Sequence, residues 1–309
     1  MKSAAYIGRS GRPERRHAKK DTILKKIEPK GGVMSDGHWQ LEGAATAELF
    51  ERYLVPAITA KWAKDLMDRA QPWEGEAILD IACGTGIVAR LAAKRMGRGL
   101  VTGLDLNAGM LAVARKAPSE GAAIVWIEGS ALDLPFLADS FDIAVCQQGL
   151  QFFPDQRKAL SEMRRVLKGG GRAAMSVYSR IERTPGANAF VLALDDVLGG
   201  DASRIKRGEH SFTDATELET LLRDSGFNAV DVQTVEQTIV FPSVLDYVRF
   251  QLLATPMTVM LKDRTEPERE KIISSITSKT TALSSRAMLE GGRFTFPQEA
   301  YVAVAHSPR

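Results

Sequence analysis

The chain has 309 residues, of which 44% are hydrophobic and 26% charged, and its net charge is +3. This composition is that of an ordinary globular protein, although the chain is large for a single domain. We expect neither a membrane span nor a secretory signal, because no apolar run approaches ~20 residues and the N-terminal segment has no apolar centre. Two cysteines are too few for a disulfide framework, so we expect buried thiols in a reducing, cytoplasmic compartment.

Residues 1–33 form a basic arm with ten Lys and Arg residues and three acidic ones. Such an arm can bind nucleic acid or an anionic membrane surface, and it can also be an organelle presequence. It has neither interleaved aromatic residues nor a clear amphipathic stripe. We therefore expect a disordered tail, or a start codon placed ahead of a natural start at Met34, and do not expect nucleic-acid binding.

Ala44 to Ala70 has apolar residues at helical spacing, which predicts one or two helices broken near Pro56. Tyr53 and Trp62 lie on this apolar stripe. Each of them either packs in the core or faces a ligand pocket.

Strand and helix patterns alternate along the next hundred residues. Strands are predicted near 77–82, 100–105, 123–127, 141–146 and 172–178, and helices near 87–96, 108–116 and 155–167. This alternation predicts an α/β fold with a doubly wound, mostly parallel sheet and helices on both faces. The ligand crevice of such a sheet lies at the carboxyl ends of its strands.

The first of these strands runs through Asp80 into the glycine turn Ala82-Cys83-Gly84-Thr85-Gly86. Glycines there let the backbone approach a ligand closely. A carboxylate at this strand end would repel the pyrophosphate of a dinucleotide, but it would favour the ammonium and sulfonium groups of S-adenosylmethionine (SAM). Asp105, at the end of the next strand, is placed to accept hydrogen bonds from both ribose hydroxyls, unless it is only a capping or turn residue.

Four segments in this order resemble the successive motifs of class I SAM-dependent methyltransferases: Asp80-x-x-Cys83-Gly84-x-Gly86; Gly103-Leu104-Asp105-Leu106-Asn107-x-x-Met110-Leu111; Leu134-Pro135-Phe136 with Phe141-Asp142; and Arg164 to Arg172. The chain is most similar to the small-molecule branch that includes the ubiquinone and menaquinone C-methyltransferases. The resemblance covers roughly residues 45–180. It implies a seven-stranded Rossmann-like sheet with a helical lid.

The resemblance also implies roles for individual residues. Asp80, Cys83, Gly84 and Gly86 would line the methionine end, Asp105 the ribose, and Leu106 with Met110 an apolar wall of the adenine slot. Ser130 stands where the family usually has an aspartate facing the adenine amino group, so a neutral acceptor replaces a charged one. The remaining expected cofactor-binding residues are Ala82, Thr85, Ala131, Leu132, Gln147 and Gln148.

The loop after the fourth strand lies beside the transferable methyl group in this architecture. Gln147 and Gln151 are candidates for holding the methionine carboxylate or the methyl acceptor, and Phe152 and Tyr178 are candidates for the acceptor pocket. An ordinary strand-to-helix loop with Asp155 as N-cap is the alternative.

His210 is the candidate general base if the acceptor needs deprotonation, and a surface histidine is the alternative. We expect no metal site, because no His or Cys residues cluster at ligand spacing.

Beyond residue 180, helices are predicted near 187–198, 213–223, 243–254 and 266–290, and strands at 230–240 and 295–305. The resemblance pairs the last strand antiparallel at the sheet edge. We divide the chain into a basic arm (1–33), N-terminal lid helices (34–72), a SAM-binding core (73–180), a helical cover with the sixth strand (181–242), a helical insertion over the active site (243–291), and a closing edge strand with the tail (292–309).

These patterns together predict a SAM-dependent methyltransferase that acts by in-line displacement on a C, O or N atom of a small, partly apolar molecule. S-Adenosylhomocysteine would be the product. Two alternatives stay open: an NAD(P)-dependent oxidoreductase on a similar sheet, and a non-catalytic module that binds SAM or RNA. Nothing in the sequence sets the oligomeric state.

Overall fold

The computed structural model describes residues 44–309. The expectations for the basic arm and for a start at Met34 fall on residues 1–43 and lie outside the described residues. The strands are β1 (Ala77–Ile81), β2 (Leu100–Asp105), β3 (Ala123–Glu128), β4 (Phe141–Gln147), β5 (Leu167–Tyr178), β6 (Asn228–Phe241) and β7 (Phe294–His306). The α-helices are α1 (Ala44–Leu49), α2 (Ala60–Ala70), α3 (Ile87–Met96), α4 (Ala108–Lys116), α5 (Gln156–Val166), α6 (Pro185–Leu198), α7 (Arg204–Gly208), α8 (Ala215–Asp224), α9 (Val244–Leu253) and α10 (Glu266–Leu283).

The seven strands form one sheet in the order β3-β2-β1-β4-β5-β7-β6. Strands β1 to β5 pair in parallel, whereas β7 is antiparallel to both β5 and β6. This topology confirms the predicted doubly wound α/β fold. It places the carboxyl ends of β2, β1, β4 and β5 next to one another along one side of the sheet.

The closing strand does not lie at the sheet edge, so that prediction is wrong. Strand β7 lies between β5 and β6, and β6 is the edge strand. The burial patterns give the reason: most residues of β7 are buried on either face, whereas β6 exposes alternate residues along much of its length. A strand buried on both faces belongs inside a sheet, and a strand with many exposed polar residues suits an edge.

The predicted break near Pro56 is also wrong. A π-helix, Phe50–Thr59, contains Pro56 and joins α1 to α2 without interruption. In an α-helix the proline ring clashes with the carbonyl four residues earlier, and the wider π-helical turn relieves that clash. Helices of this rare type occur frequently at functional sites.

Alternate residues of the parallel strands enter two apolar cores, one on each face of the sheet. Ile78 belongs to the core that includes Trp62 and Leu66 of α2. The next residue, Leu79, belongs to the other core, with Leu160 of α5. Because both faces are covered, the ligand crevice is confined to the strand ends.

The segment after β6 forms helices, as predicted, but the last predicted helix is too long. Helix α10 ends at Leu283, and a separate 3₁₀ segment, Arg286–Gly292, follows it. Another 3₁₀ segment, Pro256–Leu261, follows α9. None of the helices within residues 44–309 combines the length and apolar character that crossing a bilayer requires.

Candidate active site

A cavity of about 270 Å³ opens at the carboxyl ends of the parallel strands. Strand ends supply one side of its wall: Ala82 and Gly84 after β1, Asp105 and Asn107 at and after the end of β2, Gln147, Gln148 and Gly149 at and after the end of β4, and Tyr178 at the end of β5. The π-helix supplies Phe50, Leu54, Ile58 and Thr59. The cover (181–242) supplies Lys206 and Glu209, and the insertion (243–291) supplies Gln251, Ala254, Thr255 and Pro256. The cavity therefore lies where the alternating pattern predicts a ligand crevice.

Two glycines of the turn after β1 have different structural roles. A Cβ added to Gly84 would meet no atom within 4 Å, so this glycine borders open space in the cavity wall. A Cβ added to Gly86 would lie 2.2 Å from the ring of Trp126. Both have a positive φ, +55° and +87°, which glycine adopts without strain. Gly84 thus leaves room for a ligand, whereas Gly86 leaves room for the partly buried ring of Trp126.

Two cavity residues other than glycine also have left-handed backbone conformations. Ala82 has φ 56° and Gln148 has φ 50°. Such conformations cost on the order of 1–2 kcal/mol for residues with a Cβ, and strain of this kind clusters at functional sites.

Asp105 connects the glycine turn to the start of helix α4. Its Oδ2 accepts a hydrogen bond from the Gly84 amide at 2.7 Å, and its Oδ1 accepts one from the Asn107 amide at 2.8 Å. Burial raises the pKa of this carboxyl group. A carboxylate offers about four lone-pair positions, so Asp105 keeps capacity to accept a ligand hydroxyl beside its backbone donors.

Asp80 lies beneath the glycine turn and does not line the cavity, which corrects its expected place at the methionine end. Its side chain is 1% exposed and accepts a hydrogen bond from the Ala89 amide of α3 at 3.0 Å. Burial and, to a smaller extent, the nearby charge of Asp105 together raise its pKa to about 8. This hydrogen bond joins the end of β1 to the first turn of α3.

The structure brings eight of the predicted site residues to the cavity wall: Ala82, Gly84, Asp105, Met110, Gln147, Gln148, Phe152 and Tyr178. Asp80, Cys83, Thr85, Gly86, Leu106, Ser130, Ala131, Leu132, Tyr53, Gln151 and His210 do not line it. Leu106 is 49% exposed, and Ser130 Oγ accepts a hydrogen bond from the Leu132 amide at 3.1 Å. Tyr53 stacks on Phe250 with ring centroids 4.1 Å apart, because the π-helix turns Phe50, Leu54 and Ile58 toward the cavity instead.

His210 is poorly placed for the general-base role. Its ring stacks on Tyr178 at 5.1 Å, and its Nδ1 lies 2.7 Å from the Ser179 carbonyl oxygen. A carbonyl only accepts hydrogen bonds, so Nδ1 carries the proton and Nε2 is the basic atom. Burial and, to a smaller extent, the charge of Lys206 together lower the pKa of His210 to about 3. A histidine with this pKa is a weak base.

The family model described as the ubiE/COQ5 methyltransferase family matches residues 52–242. The chain belongs to this family. Membership in this family favours the expected SAM-dependent methyltransferase over an oxidoreductase or a non-catalytic module.

Individual relatives agree with this membership. A 2-phytyl-1,4-naphthoquinone methyltransferase of Thermosynechococcus vestitus is 40% identical over 119 residues, which are 38% of this chain and 53% of the relative. The chain thus spans about half the length of that relative. A ubiquinone/menaquinone biosynthesis C-methyltransferase of Roseobacter denitrificans is 31% identical over 60% of this chain and 79% of its own. The solved structure of the YcgJ protein from Bacillus subtilis shares the fold, with a TM-score of 0.51, 20% identity, and coverage of 80% of this chain and 98% of that one.

The cavity of this family member contains buried polar atoms suited to SAM. Gln147 Nε2 donates to the Thr59 carbonyl at 3.0 Å, which leaves Gln147 Oε1 without a partner among residues 44–309. Within the same described part of the chain, neither side-chain polar atom of Gln148 has a partner. An unsatisfied buried polar group costs about 1–3 kcal/mol. These atoms, together with Asp105 and the open side of Gly84, fit a ligand with hydroxyl, ammonium and carboxylate groups.

The sequence patterns did not predict the residues that the cover and the insertion bring to the cavity. Lys206 and Glu209 both line it, and so does Gln251 of α9. The spacing of Lys206 and Glu209 is that of an ordinary surface ion pair on a helix, so it carries no signal of a site. Only the packing of the cover against the strand ends reveals their position.

Proposed function

We propose that this protein transfers the methyl group of SAM to a carbon atom of a small aromatic acceptor of the quinone class and releases S-adenosylhomocysteine. The observation that carries the proposal is the composition of one cavity, in which a polar end beside Asp105 continues into an aromatic and aliphatic wall. That wall comprises Phe50, Leu54, Ile58, Phe152, Phe153, Tyr178, Ala254 and Pro256. The two named relatives, which act on naphthoquinone and in ubiquinone/menaquinone biosynthesis, support the acceptor class.

SAM supplies a methyl group already activated by its positively charged sulfur. The protein therefore has mainly to align the two reactants and to exclude water, and alignment alone can contribute ~7–11 kcal/mol. Asp105 would fix the ribose, the backbone at Gly84 would allow close approach, and Gln147 and Gln148 would bind the amino-acid end. Phe50 and Leu54 would cover the ring of the acceptor. A cytoplasmic place of action stays a prediction.

The test uses the full-length protein with SAM carrying a deuterated methyl group and a short-chain demethylmenaquinol kept under reducing conditions. We expect mass spectrometry to find the labelled methyl group on a ring carbon. Asp105→Ala should lose this product, and Asp231→Ala, at an exposed position of β6, should keep it. Binding of S-adenosylhomocysteine without methylation of any quinol would refute the acceptor class, and absence of that binding would refute the assignment of the cavity.

A further inference from the structure

A buried ion pair lies in the otherwise apolar part of the cavity wall. Lys206 Nζ donates to Glu209 Oε2 at 2.5 Å, and the two side chains are only 6% and 10% exposed. By contrast, the pair between Lys64 and Asp68 on α2 is 72% and 48% exposed. Burying an ion pair costs several kcal/mol per ion, and well-packed apolar side chains often stabilise a protein as much or more. Stability of the fold is therefore a weak explanation for this pair.

The ion pair belongs to the side of the cavity away from Asp105. Asp105 ends β2 and Tyr178 ends β5, and three strand spacings separate them, about 14 Å. Tyr178 and Glu209 line the same cavity, and Tyr178 stacks on His210, the residue that follows Glu209, with ring centroids 5.1 Å apart. The pair is thus placed at the acceptor end of the cavity.

A third polar group completes this end. Gln251 is 1% exposed and lines the cavity, and its Oε1 has no partner among the residues that the structure describes. Lys206 has three N–H donors, of which one points at Glu209. The apolar wall therefore ends in one cation, one carboxylate and one free amide oxygen, an arrangement that can both accept a proton and hold an oxygen anion.

We propose that Lys206 and Glu209 select acceptors whose apolar ring carries an acidic hydroxyl, as in a phenol or enol. The inference rests on the proposed function and names the polar group that the acceptor must present. Glu209 accepts the hydroxyl proton, and Lys206 then binds the oxygen anion. Because both groups are shielded from water, their interaction with this oxygen is stronger than it would be at the surface.

The proton and electron balance of the step is complete. The hydroxyl proton moves to a Glu209 carboxylate oxygen, and the ring oxygen becomes an anion paired with Lys206. The electron pair of the adjacent ring carbon forms the new bond to the methyl group, while the pair of the breaking carbon–sulfur bond stays with sulfur. The methylated carbon then loses its proton to water as the ring oxygen recovers a proton from Glu209, so that one proton is released overall.

The same pair discriminates against other oxygen groups. An ether offers no proton to Glu209 and cannot become an anion. A carboxylate is already charged, so Lys206 attracts it but the Glu209 carboxylate repels it at short range. The pair therefore matches a neutral hydroxyl that ionises only within the cavity.

The first experiment measures binding of three probes to the full-length protein saturated with S-adenosylhomocysteine: 1-naphthol, 1-methoxynaphthalene and 1-naphthoate. We expect 1-naphthol to bind at least about tenfold more tightly than either of the others, since a hydrogen bond to a charged group contributes the equivalent of roughly ten- to a hundredfold in affinity. Lys206→Met should weaken the binding of 1-naphthol about tenfold or more and change the affinity for the ether, 1-methoxynaphthalene, less than about twofold. Glu209→Gln should strengthen the binding of 1-naphthoate, because the variant lacks the negative charge that repels the carboxylate of this probe.

Two variants separate this role from a structural one. Lys206→Arg keeps the charge and should retain most of the affinity for 1-naphthol. Lys279→Met removes an exposed lysine of α10, paired with Asp196 at 55% exposure of each side chain, and should leave all three affinities unchanged. The affinity for S-adenosylhomocysteine and the melting temperature report whether each variant is folded.

The rate of methyl transfer provides a second readout. Glu209→Gln should lower kcat at neutral pH and recover activity as the pH rises toward the pKa of the free hydroxyl. The other titratable groups near Glu209 are Lys206, His210, Tyr178 and Tyr247. Burial lowers the pKa of His210 to about 3 and raises those of both tyrosines, so these three side chains do not titrate at neutral pH.

If Lys206→Met lost equal affinity for 1-naphthol and for 1-methoxynaphthalene, the proposal would be overturned, and the ion pair would have a structural role instead. Tighter binding of 1-naphthoate than of 1-naphthol by the unaltered protein would overturn it as well. A different result would refute the proposed function and leave this inference standing: no quinol is methylated, although the protein prefers 1-naphthol and this preference depends on Lys206.

Discussion

Replacing Asp105 by alanine should weaken binding of SAM and of S-adenosylhomocysteine by about ten- to a thousandfold. The carboxylate already accepts hydrogen bonds from the Gly84 and Asn107 amides, at 2.7 and 2.8 Å, and keeps capacity to accept from the ribose hydroxyls. Each charge-assisted hydrogen bond contributes roughly 1.5–3 kcal/mol, and water in the vacated space replaces part of it. Alanine also removes the bond that holds the glycine turn, so the loss should exceed that of a single ligand hydrogen bond.

Isothermal titration calorimetry with S-adenosylhomocysteine measures this loss directly. An analogue without the two ribose hydroxyls should lose much less affinity in Asp105→Ala than the natural ligand does. Asp231→Ala serves as the surface control, because Asp231 is exposed on the edge strand β6. An unchanged dissociation constant in a correctly folded Asp105→Ala protein, or equal losses for both ligands, would show that this carboxylate does not bind the ribose.

Three further predictions concern the turn and the core around it. Gly84→Ala should weaken binding of S-adenosylhomocysteine and lower the free energy of unfolding by only about 1–2 kcal/mol. Gly86→Ala should lower it more, because the added Cβ would lie 2.2 Å from the Trp126 ring. Urea unfolding of both variants and of the control Gly200→Ala would measure the difference. The folded protein keeps the proton on Asp80 up to a pKa of about 8, whereas the unfolded chain releases it near 3.8, so this side chain costs stability as the pH rises through that window. Asp80→Asn should therefore gain stability relative to the unaltered protein between about pH 5 and 8, by at most about 4 kcal/mol, and parallel stability curves would contradict the raised pKa. Trp62→Phe removes the hydrogen bond from Trp62 Nε1 to Gln298 Oε1 at 2.8 Å and should lower the free energy of unfolding by about 1–3 kcal/mol. Trp73→Phe, at a position 67% exposed, should lower it little. Equal unfolding midpoints for the two variants would refute this prediction.

The local elements of the core could be predicted because their signals are short-range. The predicted helices at 87–96 and 108–116 have the bounds that the structure shows for α3 and α4. Asn107, at the start of α4, accepts hydrogen bonds from the Gly109 and Met110 amides, so a residue type in the sequence fixes where that helix begins. The glycine turn and Asp105 were likewise predictable, since a strand followed by glycines and an acidic residue at the next strand end is a local pattern.

The alternating α/β core, the family, and the presence of Gly84 and Asp105 in the ligand crevice could thus be predicted from residue types and their spacing. The order of the strands, the π-helix around Pro56 and the position of Lys206 and Glu209 in the cavity wall became visible only in the folded structure. Each of these depends on contacts between segments far apart in the chain, and residue type or spacing does not encode them. A lysine and a glutamate three residues apart predict a solvent-exposed ion pair. In the folded protein the cover packs against the strand ends and buries both charges, and this burial is what suits the pair to the proposed recognition of the acceptor.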